Sequence, residues 1–157
     1  MIGRILCVDF GERRLGVALS DPGATIASPF TTLPRRKGKR PPIMALLGIM
    51  DEQEVVEIVV GLPLTLAGDD SEWTTTVREF AATLGARSGR KVTLVDERFS
   101  SVIAERAVRA SGLKKSQREE KERVDAAAAA VILQSYLNTR ARHMHETSDE
   151  LNDGSTD

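Results

Sequence analysis

Three acidic residues far apart in the chain, Asp9, Glu97 and Asp125, have neighbours that suggest chemistry on a phosphate. Asp9 ends the apolar run Ile5-Leu6-Cys7-Val8 and is followed by Phe10-Gly11. A carboxylate leaving a buried strand is costly to desolvate unless it reaches solvent, a partner or a cation. The competing reading is an Asx-type cap of a tight turn. Glu97 lies just past a short β-rich run, where open α/β sheets place ligand-binding groups. Asp96 is its rival, and strand alternation would send the two side chains to opposite faces, so only one can meet Asp9. Either could instead be an exposed turn acid or a partner of Arg98. Asp125 falls in the first turn of an alanine-rich helix, where the dipole alone favours a carboxylate by roughly 0.3–1 kcal/mol. It nevertheless shares a face with Ala129 and Leu133, the packing side, and needs a partner there. Hard oxygen donors of this kind suit Mg²⁺ or Mn²⁺, not zinc. Two such ions about 4 Å apart can activate a water and stabilise the leaving oxygen of a phosphodiester, with the acids as ligands rather than nucleophiles.

Other chemistry-bearing residues carry weaker signals. Cys7 sits inside the first apolar run and suits burial better than reactivity. His143 and His145 fall in a polar stretch near the end and read as surface residues. The overall charge of −1 hides an asymmetry: Glu146 to Asp157 hold five acids and no Lys or Arg, which leaves the rest at +4. Two basic clusters stand out, Arg35, Arg36, Lys37, Lys39 and Arg40, then Lys114, Lys115, Arg118 and Lys121. Each is either a solvated run or an electrostatic footprint for nucleic acid.

These residues must be positioned by a single domain: 157 residues, 41% hydrophobic and 29% charged, is the profile of one globular unit with a core. No apolar run approaches the roughly 20 residues of a membrane helix, and the first residues lack the pattern of a signal peptide. A cytoplasmic location is expected. Arg4 to Phe10 and Arg14 to Ser20 read as a hairpin, and Thr25 to Leu33 as a third extended run. Pro34 opens the basic stretch that closes at Pro41-Pro42, a loop. Helical spacing covers 43–51, a β-branched strand 55–60 ends at Gly61-Leu62-Pro63, and Ser71 precedes a helix to about Arg87. There Trp73 and Phe80 read as core. A strand over 91–95, a helix from Ser100 or Ser101 to about Ala110, and a last helix from Lys121 to Leu137 complete a mixed α/β sheet. The alanines 126–130 allow that helix to pack closely. The domain is expected to end near residue 138, with 139–157 a polar, acidic, disordered tail.

At this point the motifs resemble a known family. Val8-Asp9-Phe10-Gly11 with Arg14, Gly16, Ala18, Ser20 and Asp21 is similar to the opening D-x-G-x-x-R-x-G-x-A-x-S-D pattern of the YqgF/RuvX family. Val60-Gly61-Leu62-Pro63 with Gly68 resembles its V-G-L-P loop, and Asp96-Glu97-Arg98 with Ser100-Ser101 its D-E-R block. Lys121 to Leu137 resembles its closing D-x-x-A-A helix. The resemblance covers about residues 1–138 in order. It implies an RNase H-like fold whose five-stranded sheet begins with three antiparallel strands, and an acidic metal site at Asp9, Glu97 and Asp125. It also implies a nuclease that matures the 5′ end of precursor 16S ribosomal RNA, or one that resolves Holliday junctions. Arg14, Ser100 and Ser101 become candidates for phosphate contacts, beside the basic loop. Implied partners are precursor rRNA, branched DNA and ribosomal particles, with a monomer sufficient for RNA trimming and a homodimer needed for symmetric junction cutting.

Two other classes compete. The Asp-Phe-Gly hairpin also resembles the phosphate-binding hairpin of actin-like and sugar-kinase ATPases, but those need two related domains to enclose a nucleotide. A non-catalytic RNA-binding module on the same fold would have no use for the complete acidic trio.

Overall fold

Strand-forming residues at both ends of the expected hairpin meet in register. The structure is a computed structural model and describes residues 3–11, 13–35, 40–63, 71–97 and 118–153, with side chains left aside in 118–124 and 144–153. Strand β1 (Arg4–Phe10) pairs antiparallel with β2 (Arg14–Ser20), which pairs antiparallel with β3 (Ala27–Pro34). Helix α1 (Ile43–Glu52) then returns the chain to β4 (Val55–Leu62), and α2 (Glu72–Ser88) returns it to β5 (Lys91–Asp96). Because each crossover carries a helix, β4 and β5 run parallel to β1. The sheet order is β3-β2-β1-β4-β5. The carboxyl ends of β1, β3, β4 and β5 therefore share one end of the sheet.

Alternation along each strand sorts the core into two layers. Leu6, Val8, Leu15, Val17, Ile58 and Val60 face α1 and α2. Ile5, Cys7, Ala18 and Val59 face the last helix, α3 (Arg118–Asp153), through Ala128, Ala129, Ile132 and Leu133. The central strands are covered on both faces, so they read as nearly unbroken apolar runs rather than alternating ones. Trp73 and Phe80 belong to the first layer, as their spacing predicts, and stack on Phe10 with ring centroids 5.3 and 4.4 Å away. Ser71 and Thr74 form a reciprocal cap at the start of α2, and Gly89 closes it in the left-handed region. No described helix is long and apolar enough to cross a membrane.

Edge strand β3 carries Pro29, which an edge tolerates because it needs no second ladder. Its start is held by Gln134 of α3, which accepts from the Ala27 amide at 2.9 Å and donates to the Thr25 carbonyl at 3.1 Å. Asp21 closes the β2–β3 turn. Hydrogen bonds from the Ile26 and Thr25 amides and the Thr25 hydroxyl hold its carboxyl down at about 2.

Helix α3 corrects one expectation: it continues through residues read as a disordered tail, to Asp153. Extending an existing helix adds a hydrogen bond per residue with no new nucleation cost, so polar composition alone is a poor guide there. A tertiary tie also lies just past the expected end. Glu57, buried on the α3 face of β4, accepts from the Tyr136 hydroxyl at 2.6 Å and from Arg140 at 2.9 Å. Burial and the Glu57 hydrogen bond raise the Tyr136 phenol above its ordinary value. Arg140→Ala removes one of the two partners of a buried carboxylate. Because Arg140 itself is partly solvated, the expected cost is about 1 kcal/mol, near the low end for such losses. Urea unfolding would show it, and an unchanged midpoint would mean that the ion pair is dispensable.

Candidate nucleic-acid-cleaving site

The site begins with what is missing beside Asp9. In the β1–β2 ladder Asp9 pairs with Gly16. The β1–β4 ladder reaches Val8↔Val60, and the next residue of β4 is Gly61, which pairs with Val95 of β5. Asp9 thus has a glycine on each side, on the α3 face of the sheet. The vacant space over each glycine is filled by another of the three candidate residues. A Cβ on Gly16 would overlap the backbone carbonyl of Asp125, and one on Gly61 would lie 2.5 Å from Glu97 Oε1. The glycines therefore let the Asp125 backbone and the Glu97 carboxyl come close on either flank of Asp9.

The rivalry between Asp96 and Glu97 is resolved by register. Asp96 pairs with Leu62, whose side chain belongs to the α1/α2 layer. Glu97 lies on the opposite face, against Gly61, with Asp9. Both Asp9 and Glu97 are about 95% buried or more. Burial, then the adjacent Asp96 charge, pushes the Glu97 carboxyl up to about 7. Burial and the Glu97 charge likewise raise the Cys7 thiol well above its ordinary value, which makes Cys7 a packing residue. Asp125 is more open; its carboxylate sits 4.0 Å from Arg14 Nη1, each side chain about one-fifth exposed. Arg14 occupies the same face as Gly16 by alternation, so the cation stands beside the acids.

This donor set is chemically apt for Mg²⁺ or Mn²⁺: carboxylate oxygens only, on one face, with one carboxyl whose buried charge a cation would relieve. Among the described residues no three acidic, His or Cys side chains are gathered tightly enough to enclose an ion as they stand. The convergence is thus of backbone positions and of faces. His143 is exposed on α3, and the side chain of His145 lies outside those described.

The remaining candidates divide. Arg40 is exposed just before Pro41. Arg35 is not with the acids: its guanidinium lies over Phe10, on the α1/α2 side. Arg36, Lys37, Lys39, Ser100 and Ser101, with the helix expected over 100–110, lie outside the described residues. Sequence reasoning read Gly16 only as part of a motif and took Gly61 as the end of a strand; their part in seating two acids was missed. The available signal was a glycine inside each of two largely apolar runs, Leu15 to Leu19 and Val55 to Leu62, where a strand ordinarily carries a side chain.

Comparison with known proteins bears on the family and the fold. The family profile described as "RuvX: Holliday junction resolvase" matches residues 3–139. A protein of Koribacter versatilis named "Putative pre-16S rRNA nuclease" is 46% identical over 138 residues, covering 88% of each chain. A relative of the same name from Chloroflexus aurantiacus is 42% identical over 136 residues, covering 87% of each. Among solved structures, Thermus thermophilus RuvC in complex with a Holliday junction substrate aligns with TM-score 0.53 at 14% identity, over 88% of this chain and 96% of that one. With the sheet order above, that likeness identifies the fold as RNase H-like.

Proposed function

Because this chain belongs to the RuvX family, we propose that it is a metal-dependent nuclease that hydrolyses phosphodiester bonds, acting in 5′-end maturation of precursor 16S rRNA. The observation that carries the reading is the glycine-flanked Asp9, with Glu97 over one glycine and the Asp125 backbone over the other. Asp9, Glu97 and Asp125 would hold Mg²⁺ or Mn²⁺. Such ions supply an activated water and charge neutralisation at the phosphate. Arg14, 4.0 Å from Asp125, orients that carboxylate and offers a cation to the substrate backbone. Burial of Asp9 and Glu97 keeps bulk water from competing for their oxygens. The catalytic unit is taken as residues 1–138, working in the cytoplasm on precursor rRNA, alone or on ribosomal particles.

The basic residues Arg36 to Arg40 follow β3 in sequence, and β3 ends at the same end of the sheet as the acids, which supports a role for them in holding the nucleic-acid backbone. Ser100 and Ser101 follow Glu97 closely in sequence and are proposed as further phosphate contacts. Neutralising Arg36, Lys37, Lys39 and Arg40 together is expected to flatten the dependence of log K on log salt. Each lost phosphate contact removes about 0.7 from the slope for a single strand. An unchanged slope would make the loop an ordinary solvated one.

The likeness to RuvC favours one second reading, junction resolution, which the same acids could perform. One assay separates them: a precursor rRNA fragment and a four-way DNA junction, side by side with Mn²⁺ or Mg²⁺. RNA cleavage lost on chelation is the expected result. Paired junction nicks would install the resolvase, with a homodimer to supply two sites, and cleavage of neither would favour a non-catalytic binding module.

A further inference from the structure

Arg35 belongs by sequence to the basic cluster, yet its half-buried head lies on the Phe10 side of the sheet and not with the acids. The guanidinium carbon lies 4.5 Å from the Phe10 ring centroid and 5.9 Å from that of Trp73. Its Nη1 donates to the Gly11 carbonyl at 3.2 Å, and its backbone amide donates to the Arg13 carbonyl at 2.7 Å. Nε is buried, with no hydrogen-bond partner among the described residues. A guanidinium held this way is not a free phosphate ligand. Arg35 as a residue is a brace that touches both legs of the β1–β2 connection: its guanidinium bonds the leg leaving Asp9, and its backbone amide bonds the leg entering Arg14. Gly11 is fixed there a second time, its amide donating to the Arg14 carbonyl at 2.9 Å. Phe10, the wall on which Arg35 rests, is the immediate neighbour of Asp9 and points to the other face.

We propose that Arg35 is a positioning residue for cleavage: stacked on Phe10 and Trp73, it locks the β1–β2 connection and so fixes Asp9 and Arg14 relative to each other. This rests on the nuclease reading above. It separates Arg35 from Arg36 to Arg40, whose part would be contact with phosphate. The guanidinium is needed for its shape, since a lysine keeps the charge but loses the planar fork that can stack and reach the Gly11 carbonyl together.

The test uses the full chain with Arg35→Met and Arg35→Lys, a precursor 16S RNA fragment and Mn²⁺. Both variants are expected to lower kcat roughly 10- to 100-fold, the scale of a small misplacement of reacting groups. KM and the slope of log K against log salt should stay at wild-type values, and hydrogen exchange at the Gly11 amide should rise. A slope reduced in Arg35→Met but restored in Arg35→Lys would overturn the proposal in favour of a direct phosphate contact. Wild-type kcat in Arg35→Lys would overturn it as well. If Arg35→Met fails to fold, Arg35→Lys alone decides. Absence of cation-dependent cleavage in the wild type would defeat the nuclease reading instead, and unchanged Gly11 exchange would then still overturn the brace.

Discussion

Asp9→Asn is expected to abolish cleavage and leave the fold standing. Loss of an outer partner of a metal ligand costs up to about 100-fold in metal affinity or activity, and loss of a ligand itself should exceed that. Stability should move in the opposite sense. Asp9 is 5% exposed and shares a face with the buried Glu97. Without a cation, two carboxylates buried on one face repel each other, and neutralising one relieves that repulsion. In chelator the variant should therefore melt at or above the wild-type temperature. On adding Mn²⁺ the wild type should gain RT ln(1 + [L]/Kd) of stability, and the variant should gain far less. Thermal melts with and without cation, beside the cleavage assay, read both effects. Loss of activity with unfolding would return Asp9 to the role of a turn cap.

Gly16→Ala should be damaging for a different reason. The added methyl would meet the Asp125 carbonyl and lie 3.1 Å from the Ala126 amide nitrogen, atoms of a helix backbone that cannot rotate aside. Helix α3 must lift from β2, loosening the packing of Ala128 and Ala129. Overpacking of this kind costs about 1–3 kcal/mol. It also carries Asp125 away from Asp9, so activity should fall more steeply than stability. Gly61→Ala gives the useful contrast. What it meets first is the end of the Glu97 side chain, which can swing away at little cost to the fold but not to the site. Melting temperature and kcat measured on both variants should show a loss in both quantities for Gly16→Ala, and in kcat alone for Gly61→Ala. Wild-type behaviour in Gly16→Ala would refute the close approach of α3.

Where local chemistry and tertiary packing agree, the sequence is a good guide to this molecule. The hairpin, the β-branched β4 and the Ser71 cap all report their own geometry, and the alanines of α3 announce a close approach. The choice between Asp96 and Glu97 could be framed from alternation but not made, because it depends on the register of β5 against β4. Gly61 was hidden for a related reason: a missing side chain matters only beside whatever fills its place, here a carboxyl from another strand. Arg35 looked like its basic neighbours because charge is visible in a sequence and a stacking partner is not. The continuation of α3 was misjudged because composition does not register a helix already begun upstream.

The helix that carries Asp125 is the last of the described elements, yet it lies on the first strands. Gln134 grips Ala27 across 107 positions, and Gly16 meets Asp125 across nearly the same span. Such long closures form late and slowly, since loop entropy is lost before the contacts return it. A chain emerging from synthesis can pair β1, β2 and β3 long before α3 exists. Throughout that interval Asp9 lacks Asp125, and an unfinished chain is missing one of the three proposed metal ligands.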